Sequence, residues 1–390
     1  MPSSVIALPD ELGGSNSYRL RGVPIVLPSA PHEFNRIALS AAHVVADPFA
    51  SREPSLGPAI DWNGTLHFRR HLLDLGMGIA EAMDTAQRGG GLDWNGALEL
   101  IRRSLEAAAP QERQRIFSGA GTDQLEPKDA RDLDDVVRAY LVQIEAIQKL
   151  GGRIILMASR ALARVAKTAA DYEAVYRRVL GSCEHPVILH WLGDMFDSQL
   201  KGYWGSNAFS PALETALAVI GANVSKVDGI KISLLDAAKE IEMRRRLPTS
   251  VKMYTGDDFN YSELIKGDGH GYSHALLGIF DPIAPAASAA LAALARGDKN
   301  RFDEILAPTV PLSRLIFRAP TQFYKTGVVF LAYLNGFQNH FVMLGGVQAM
   351  RPLPYFTELF QLADQAGLLR DPDLAAARMR RFLAFYGFEG

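Results

Sequence analysis

Between residues 36 and 300 the chain alternates short apolar, β-branched runs with longer stretches whose apolar positions recur at helical spacing. The short runs begin near Arg36 (RIALSAAHVV), Gly78 (GIAEAM), Arg115 (RIFSG), Arg153 (RIILMAS) and Pro186 (PVILHWL). Three more begin near Val227 (VDGIKIS), Ser250 (SVKMYT) and Gly271 (GYSHALL), and all are expected to be strands. Between them, DLDDVVRAYLVQIEAIQKLGG repeats Val136, Val137, Tyr140, Ile144 and Ile147 on one helical face. That segment stops at Lys149 and Gly151-Gly152, as a helix leading into a strand should.

Strands joined by helical crossovers predict an α/β protein, a (β/α)8 TIM barrel. An open doubly wound sheet is the rival, but no glycine-rich dinucleotide turn follows the first run. Past residue 300 the strand pattern ends, and 301–318, 321–347, 354–369 and 372–387 are expected to be helical. The predicted organisation is an N-terminal extension over 1–35, a barrel over 36–300 and a C-terminal helical extension over 301–390. Within the first part, YRLRGVPIVLP is expected to form a small hairpin or plug at the barrel bottom.

Composition narrows the partners. The chain has 390 residues, 48% hydrophobic and 22% charged, and Lys+Arg 41 against Asp+Glu 43 leaves a net charge of −2. No excess of either sign points to a nucleic acid or an anionic lipid surface. The single cysteine, Cys183, excludes an intrachain disulfide framework and a cysteine-based zinc cluster. MPSSVIALPDELGG has no basic segment leading into an apolar core, so no secretory signal is expected. The most apolar stretch, IAPAASAALAALA, has 13 residues, short of the roughly 18 needed to span a bilayer. A cytoplasmic globular protein is the expectation.

The candidate chemistry centres on Lys231. Strand alternation sends Ile230 and Ile232 to one face of VDGIKIS and Gly229, Lys231 and Ser233 to the other. In a barrel strand that second face is the lumen. A partly desolvated lysine loses its proton more readily, and its neutral amine can attack a carbonyl. The competing reading is a lysine that snorkels or pairs with an acid at the barrel mouth.

Around this lysine the sequence resembles the dihydrodipicolinate synthase/N-acetylneuraminate lyase superfamily of class I aldolases. GIKIS matches the strand-six motif of that family with its Schiff-base lysine, and YTGDD at 254–258 is similar to the strand-seven motif. IFSGAGTD at 116–123 and GGRIILMAS at 151–159 look like the third and fourth strands. ADPFASREPSLGPAIDWNGTLHFRRHLLDLGMGI resembles the family's opening, and FYKTGVVFLAYLNG followed by RPLP resembles its helical tail. The likeness runs in order over about residues 37–370. It implies a covalent imine through Lys231 with no organic cofactor and no metal, a carbonyl substrate, and a homodimer or homotetramer. Phe323, Tyr324 and Phe330 are candidates for such an interface.

The sequence departs from the family where carboxylate recognition and proton transfer are expected. The strand-two loop reads Met83-Asp84-Thr85-Ala86-Gln87, so one threonine survives and an acid replaces the other. An acid there disfavours a substrate carboxylate. His190 stands where the family has a proton-moving tyrosine, and histidine can do that work near neutral pH. The family's carboxylate-binding arginine falls near Met195; Arg160 is a candidate replacement, or a surface arginine at a helix start. Gly256, Asp257 and Asp258 are similar to the hydroxyl-binding group of the sialic-acid-cleaving branch, though Asp257 could instead cap a helix. His274 is expected to line the pocket. Tyr203 and Trp204 could cap a sugar ring or anchor their loop.

The roles expected are thus catalytic for Lys231, His190 and Thr85, and substrate-binding for Asp84, Arg160, Gly256, Asp257, Asp258 and His274. The reaction expected is retro-aldol cleavage or dehydration of a sugar-derived keto acid or keto-sugar. Two alternatives differ in kind. His43, Asp84, His190, Asp194 and His274 could converge as metal ligands of a sugar isomerase or epimerase. A degenerate, non-catalytic binding barrel would explain the lost family residues, though not the retained lysine.

Overall fold

The computed structural model describes residues 5–10, 13–26 and 33–389. Strands β1 (Val5–Pro9) and β2 (Ser15–Arg19) form an antiparallel hairpin with Ala7 opposite Ser17. Then come β3 (Ala38–Ala41), β4 (Gly78–Glu81), β5 (Ile116–Ala120), β6 (Arg153–Leu156), β7 (Val187–Leu192), β8 (Val227–Ser233), β9 (Lys252–Thr255) and β10 (His274–Leu277). These eight run parallel in chain order, and β10 pairs back onto β3 to close a barrel. Each falls on one of the apolar runs of the sequence, so the TIM-barrel expectation holds.

The chain divides into two compact units. One, Arg36–Ala42 with Met77–Gly278, contains every barrel strand. Its lumen is filled by Leu39, Ala41, Ala80, Phe117, Ile155, Ile188, Tyr254 and Leu276, which pack as one buried cluster. Each such side chain contributes roughly 1.5–3 kcal/mol through removal from water. On β8 the corresponding residue is Gly229, where an added Cβ would lie 2.6 Å from the Tyr254 ring. The tyrosine fills that space. Around the strands run helices at 94–107, 133–149, 169–181, 209–222 and 237–246. Asp93, Asp132 and Asp236 cap three of them by accepting backbone N–H groups of the first turn.

The other unit, Met1–Asn35 with His43–Gly76 and Ile279–Gly390, is held by aromatic packing. Phe330 meets Phe356 and Phe382, each with ring centroids 4.7 Å apart, and Phe341 at 5.0 Å. The hairpin joins this unit through Asp364, whose carboxylate accepts Tyr18 Oη–H at 2.8 Å and the backbone N–H groups of Arg21 and Gly22. The hairpin therefore lies upstream of YRLRGVPIVLP, whose Tyr18 and Arg19 alone belong to β2; residues 27 and 28 of that segment lie outside the described residues. The helix expected over 321–347 is also shorter. It runs Tyr324–Leu334, ends before Gly336 at φ 82°, and gives way to a short turn of 3-10 type at Leu344–Ala349. Tyr324 stacks on Phe317 at 4.5 Å and Phe330 is fully buried, so both serve this unit's own core rather than an exposed interface.

Among the described residues, no helix is long and apolar enough to cross a membrane.

Candidate active site

Lys231 is buried on β8. It shares strand parity with Gly229, so its side chain lies in the lumen above the Tyr254 ring, while Ile230 and Ile232 face the helices. Gly256, just past β9, makes room for it. A Cβ there would come within 2.6 Å of Lys231 Cε and of the Ile232 carbonyl oxygen. Gly256 thus shapes the lysine's slot and offers a substrate no side chain. Burial pushes the Lys231 ammonium below its ordinary pKa, while the negative charges of Asp258 and Asp84 pull it back up. No hydrogen bond or ion pair holds Nζ among the described residues.

His190 lies beside Lys231 across the β7–β8 ladder. It shares parity with the lumen residue Ile188, and its Nε2 stands 3.3 Å from Ser233 Oγ. Its other ring nitrogen, Nδ1, is buried with no partner. Burial, reinforced by Lys231, pushes its pKa well below the ordinary 6.5, so the ring is neutral at neutral pH. A neutral imidazole still has one N–H and one lone pair, so it can accept a proton at one nitrogen while donating at the other.

The acids separate into different roles. Asp84 and Thr85 open the short turn Asp84–Ala86 after β4, with Thr85 buried and Asp84 half-buried. Asp258 is buried and, with Asp84, is one of the charges acting on Lys231. Asp257 is engaged otherwise. Its carboxylate accepts the Phe259 N–H at 2.9 Å, the Asn260 N–H at 3.0 Å and the Asn260 side-chain amide at 2.9 Å. It builds the turn into the helix Tyr261–Lys266, which corrects its assignment to substrate. Parity could have separated the pair, since Asp258 follows Tyr254 and Gly256 whereas Asp257 follows Thr255.

Three further expectations concern side chains that the structure already engages. His274 is the first residue of β10, and the charges acting on it are those of Lys252, Arg36 and Asp228, not those acting on Lys231. Its Nδ1 accepts the Ile37 N–H at 3.0 Å and its ring packs against Tyr254 and Tyr272. Arg160 pairs with Asp197 at a helix start, leaving its charge already engaged. Tyr203 and Trp204 anchor their loop. Tyr203 Oη accepts the Ser159 N–H at 3.2 Å and is bonded to Tyr176 Oη at 2.9 Å, and Trp204 stacks on Tyr176 at 4.8 Å.

The suggested metal set does not assemble either. His43 is bound through Nδ1 to Asp281 at 2.8 Å, and His274 Nδ1 accepts the Ile37 N–H. Among the described residues no three His, Cys, Asp or Glu side chains gather closely enough to hold an ion.

Two features were missed in the sequence. Ser233 shares the Lys231 face of β8, and it is the group that meets His190. Arg88 is buried and bonds Asp123 at 2.7 Å, Gln143 at 2.6 Å and the Gly119 carbonyl at 2.9 Å. It fastens the loops after β4 and β5, where Ala82 takes the left-handed φ of 54°. A lone arginine in a loop carries no periodic signal, so nothing local marked it.

The closed parallel barrel has the fold of the dihydrodipicolinate synthases, with divergent sequence. A dihydrodipicolinate synthase from Acinetobacter baumannii, solved in complex with pyruvate, superposes with a TM-score of 0.62 at 17% identity, covering 85% of this chain and 99% of that one. One from Cyanidioschyzon merolae with lysine bound gives 0.63 at 16%, covering 86% and 100%. One from Oceanobacillus iheyensis gives 0.57 at 16%, covering 78% and 87%. No curated protein matches the chain by sequence. The chain belongs to the family described as "Protein of unknown function (DUF993)", which it matches over residues 6–388.

Proposed function

We propose that this protein is a class I aldolase-like lyase that forms a Schiff base through Lys231 on a hydroxylated, sugar-derived carbonyl compound. The observation that carries this reading is a buried lysine in a barrel lumen, unpaired among the described residues and destabilised as an ammonium by its burial. Lumenal position, a glycine-shaped slot and an adjacent imidazole–hydroxyl pair are what amine nucleophilic catalysis requires.

In this reading the neutral Lys231 amine adds to the carbonyl carbon, and loss of water leaves an iminium. The iminium draws electrons from the neighbouring bond. In retro-aldol cleavage, His190 takes the proton of the β-hydroxyl as the C–C bond breaks, leaving an enamine and an aldehyde. In dehydration, a proton leaves the carbon next to the iminium and the β-hydroxyl departs as water. His190 and Ser233 pass these protons, with Thr85 as a further hydroxyl. Reprotonation and hydrolysis of the imine restore the lysine. The covalent imine itself supplies the electron sink, so no cofactor is called for.

The substrate class follows from the charges. Asp84 and Asp258 act on the lysine, whereas no cation does among the described residues, and Arg88 and Arg160 are engaged by Asp123 and Asp197. That mouth suits hydroxyl groups better than a carboxylate, which favours a keto-sugar over a keto acid. A homodimer or homotetramer is the assembly we expect, and light scattering of the purified protein would measure it.

The test is borohydride reduction in the presence of a panel of keto-sugars and keto acids, followed by peptide mapping. A reduced adduct confined to Lys231 is expected, and its mass identifies the carbonyl partner. No adduct with any member, or an adduct on other lysines alone, would overturn the reading.

A further inference from the structure

We propose that the helical unit contains a second binding site, for a small organic carboxylate with an apolar body, in the cavity where Arg370, His71 and Phe337 meet. The cavity has a volume of about 450 Å³, the size of a small metabolite site. Leu75, Pro282, Pro285, Leu331 and Leu368 give it apolar walls.

Its polar groups are few and placed by structure rather than by chance. The Arg370 guanidinium lies over the Phe337 ring, 4.7 Å from the centroid. The backbone beneath it is pinned: Arg370 N–H donates to Asn335 Oδ1 at 2.9 Å, and Asn335 Nδ2 donates to the Leu368 carbonyl at 2.9 Å. No carboxylate pairs with this guanidinium among the described residues. The two acids on the cavity wall are already engaged. Asp281 accepts the His43 N–H at 2.7 Å and its Nδ1 at 2.8 Å, and Asp74 accepts from Arg70 at 2.8 Å.

His71 completes the set. Its ring packs 4.7 Å from Phe337 and 5.8 Å from Phe68, and its Nε2 is buried with no partner. Burial, with Arg370 adding to it, pushes its pKa down to about 4, so the ring is neutral and offers a hydrogen bond instead of a charge.

The ligand chemistry follows. A guanidinium presents paired donors that match the two oxygens of a carboxylate. The neutral imidazole supplies one further polar contact, and the walls take an apolar body. A phosphate dianion fits less well, because Asp74 and Asp281 remain on the wall and repel the second charge.

The test uses the full chain and phenylacetate as probe, with phenylacetamide as its neutral counterpart and inorganic phosphate as a bare anion. The His71 Hε1–Cε1 signal, assigned with His71→Gln, reports occupancy by NMR, and calorimetry gives the affinity. A saturable His71 shift with phenylacetate is expected, weakened about tenfold or more by Arg370→Gln and by replacing the acid with the amide. Arg370 is exposed, so Arg370→Gln is expected to fold, and Arg370→Lys should bind with intermediate affinity. Lys231→Ala should leave the His71 shift unchanged, which separates this site from imine formation in the barrel. Absence of a saturable shift, equal binding of the amide or of phosphate, or indifference to Arg370→Gln would overturn the proposal.

Discussion

The two ends of the barrel are built from the same strands and treat their charges in opposite ways. At the N-terminal end, Asp228 gathers its neighbours: Lys252 Nζ at 2.8 Å, the Tyr254 hydroxyl at 2.7 Å and Arg153 at 4.0 Å. His274 lies at the same end, its Nδ1 bonded to the Ile37 N–H and its pKa pushed down to about 4 by burial and by Lys252 and Arg36. Further along β8, toward its C-terminal end, Lys231 has no ion-pair partner among the described residues, and His190 keeps a buried nitrogen without a partner. Two lysines on adjacent strands therefore differ by what faces them. Pairing favours the charged ammonium of Lys252, whereas burial without a close partner favours the neutral amine of Lys231, the form that the proposed imine chemistry uses. The asymmetry matches the rule that such barrels place chemistry at the C-terminal ends of their strands.

The comparison can be broken most directly at Lys231. Lys231→Ala should abolish borohydride trapping and lower turnover on the trapped substrate by about a thousandfold or more, as loss of a covalent nucleophile does. Retained turnover would move the chemistry elsewhere. His190→Ala should reduce turnover by about 10²–10⁴-fold, the usual range for an acid–base group. Since burial keeps the His190 ring neutral, the pH–rate profile should lack a limb near 6.5. Activity should instead rise with pH through the lowered pKa of Lys231.

Gly256→Ala asks whether the slot matters. Its Cβ would meet Lys231 Cε at 2.6 Å, so trapping should fall sharply while stability drops by about 1–3 kcal/mol from overpacking. Lys231→Met probes the same end through stability. The folded-state pKa of Lys231 is depressed, so below it the folded protein carries a buried ammonium that the unfolded chain would hydrate. That penalty disappears as pH rises through the depressed pKa toward the unfolded value. Lys231→Met should therefore raise stability by about 0.5–2 kcal/mol at neutral pH, measured by denaturant unfolding, with activity lost. The smallest effect on chemistry belongs to the other end. Asp228→Asn should cost about 1–3 kcal/mol by leaving Lys252 and Tyr254 poorly matched, yet leave Lys231 trapping intact.

Much of this architecture was legible in the chain. Each barrel strand is a short apolar run flanked by helical periodicity, and a run buried on both faces has little else it can become. Lys231 was legible for the same reason: between Ile230 and Ile232, alternation alone turns it inward. Alternation does not record how far along the barrel a residue sits, and His274 shows the consequence. Its parity with Leu276 is right for the lumen, but it begins its strand, bonds the Ile37 N–H and sits among the charges of Lys252, Arg36 and Asp228. The Asp257–Asp258 pair shows the complement, because two adjacent acids look alike until the turn claims one of them. Tyr203 and Trp204 read equally well as a sugar cap or an anchor, and only their partners, Ser159 and Tyr176, decided it.

What the sequence by itself determined is periodic and local: the strands, their facing, and the lysine that breaks the apolar pattern of β8. Such features depend on neighbours two to four residues away, which a linear pattern records. What only the tertiary structure decided is pairing across the barrel: Asp228 neutralising Lys252, Ser233 meeting His190, Gly256 clearing the lysine's path, and Arg88 tying two loops together. Those partners come from separate strands and loops, and the strength of each interaction depends on burial that no local pattern encodes. The proton affinity of Lys231 belongs to that second class, because burial and the charges around it set it.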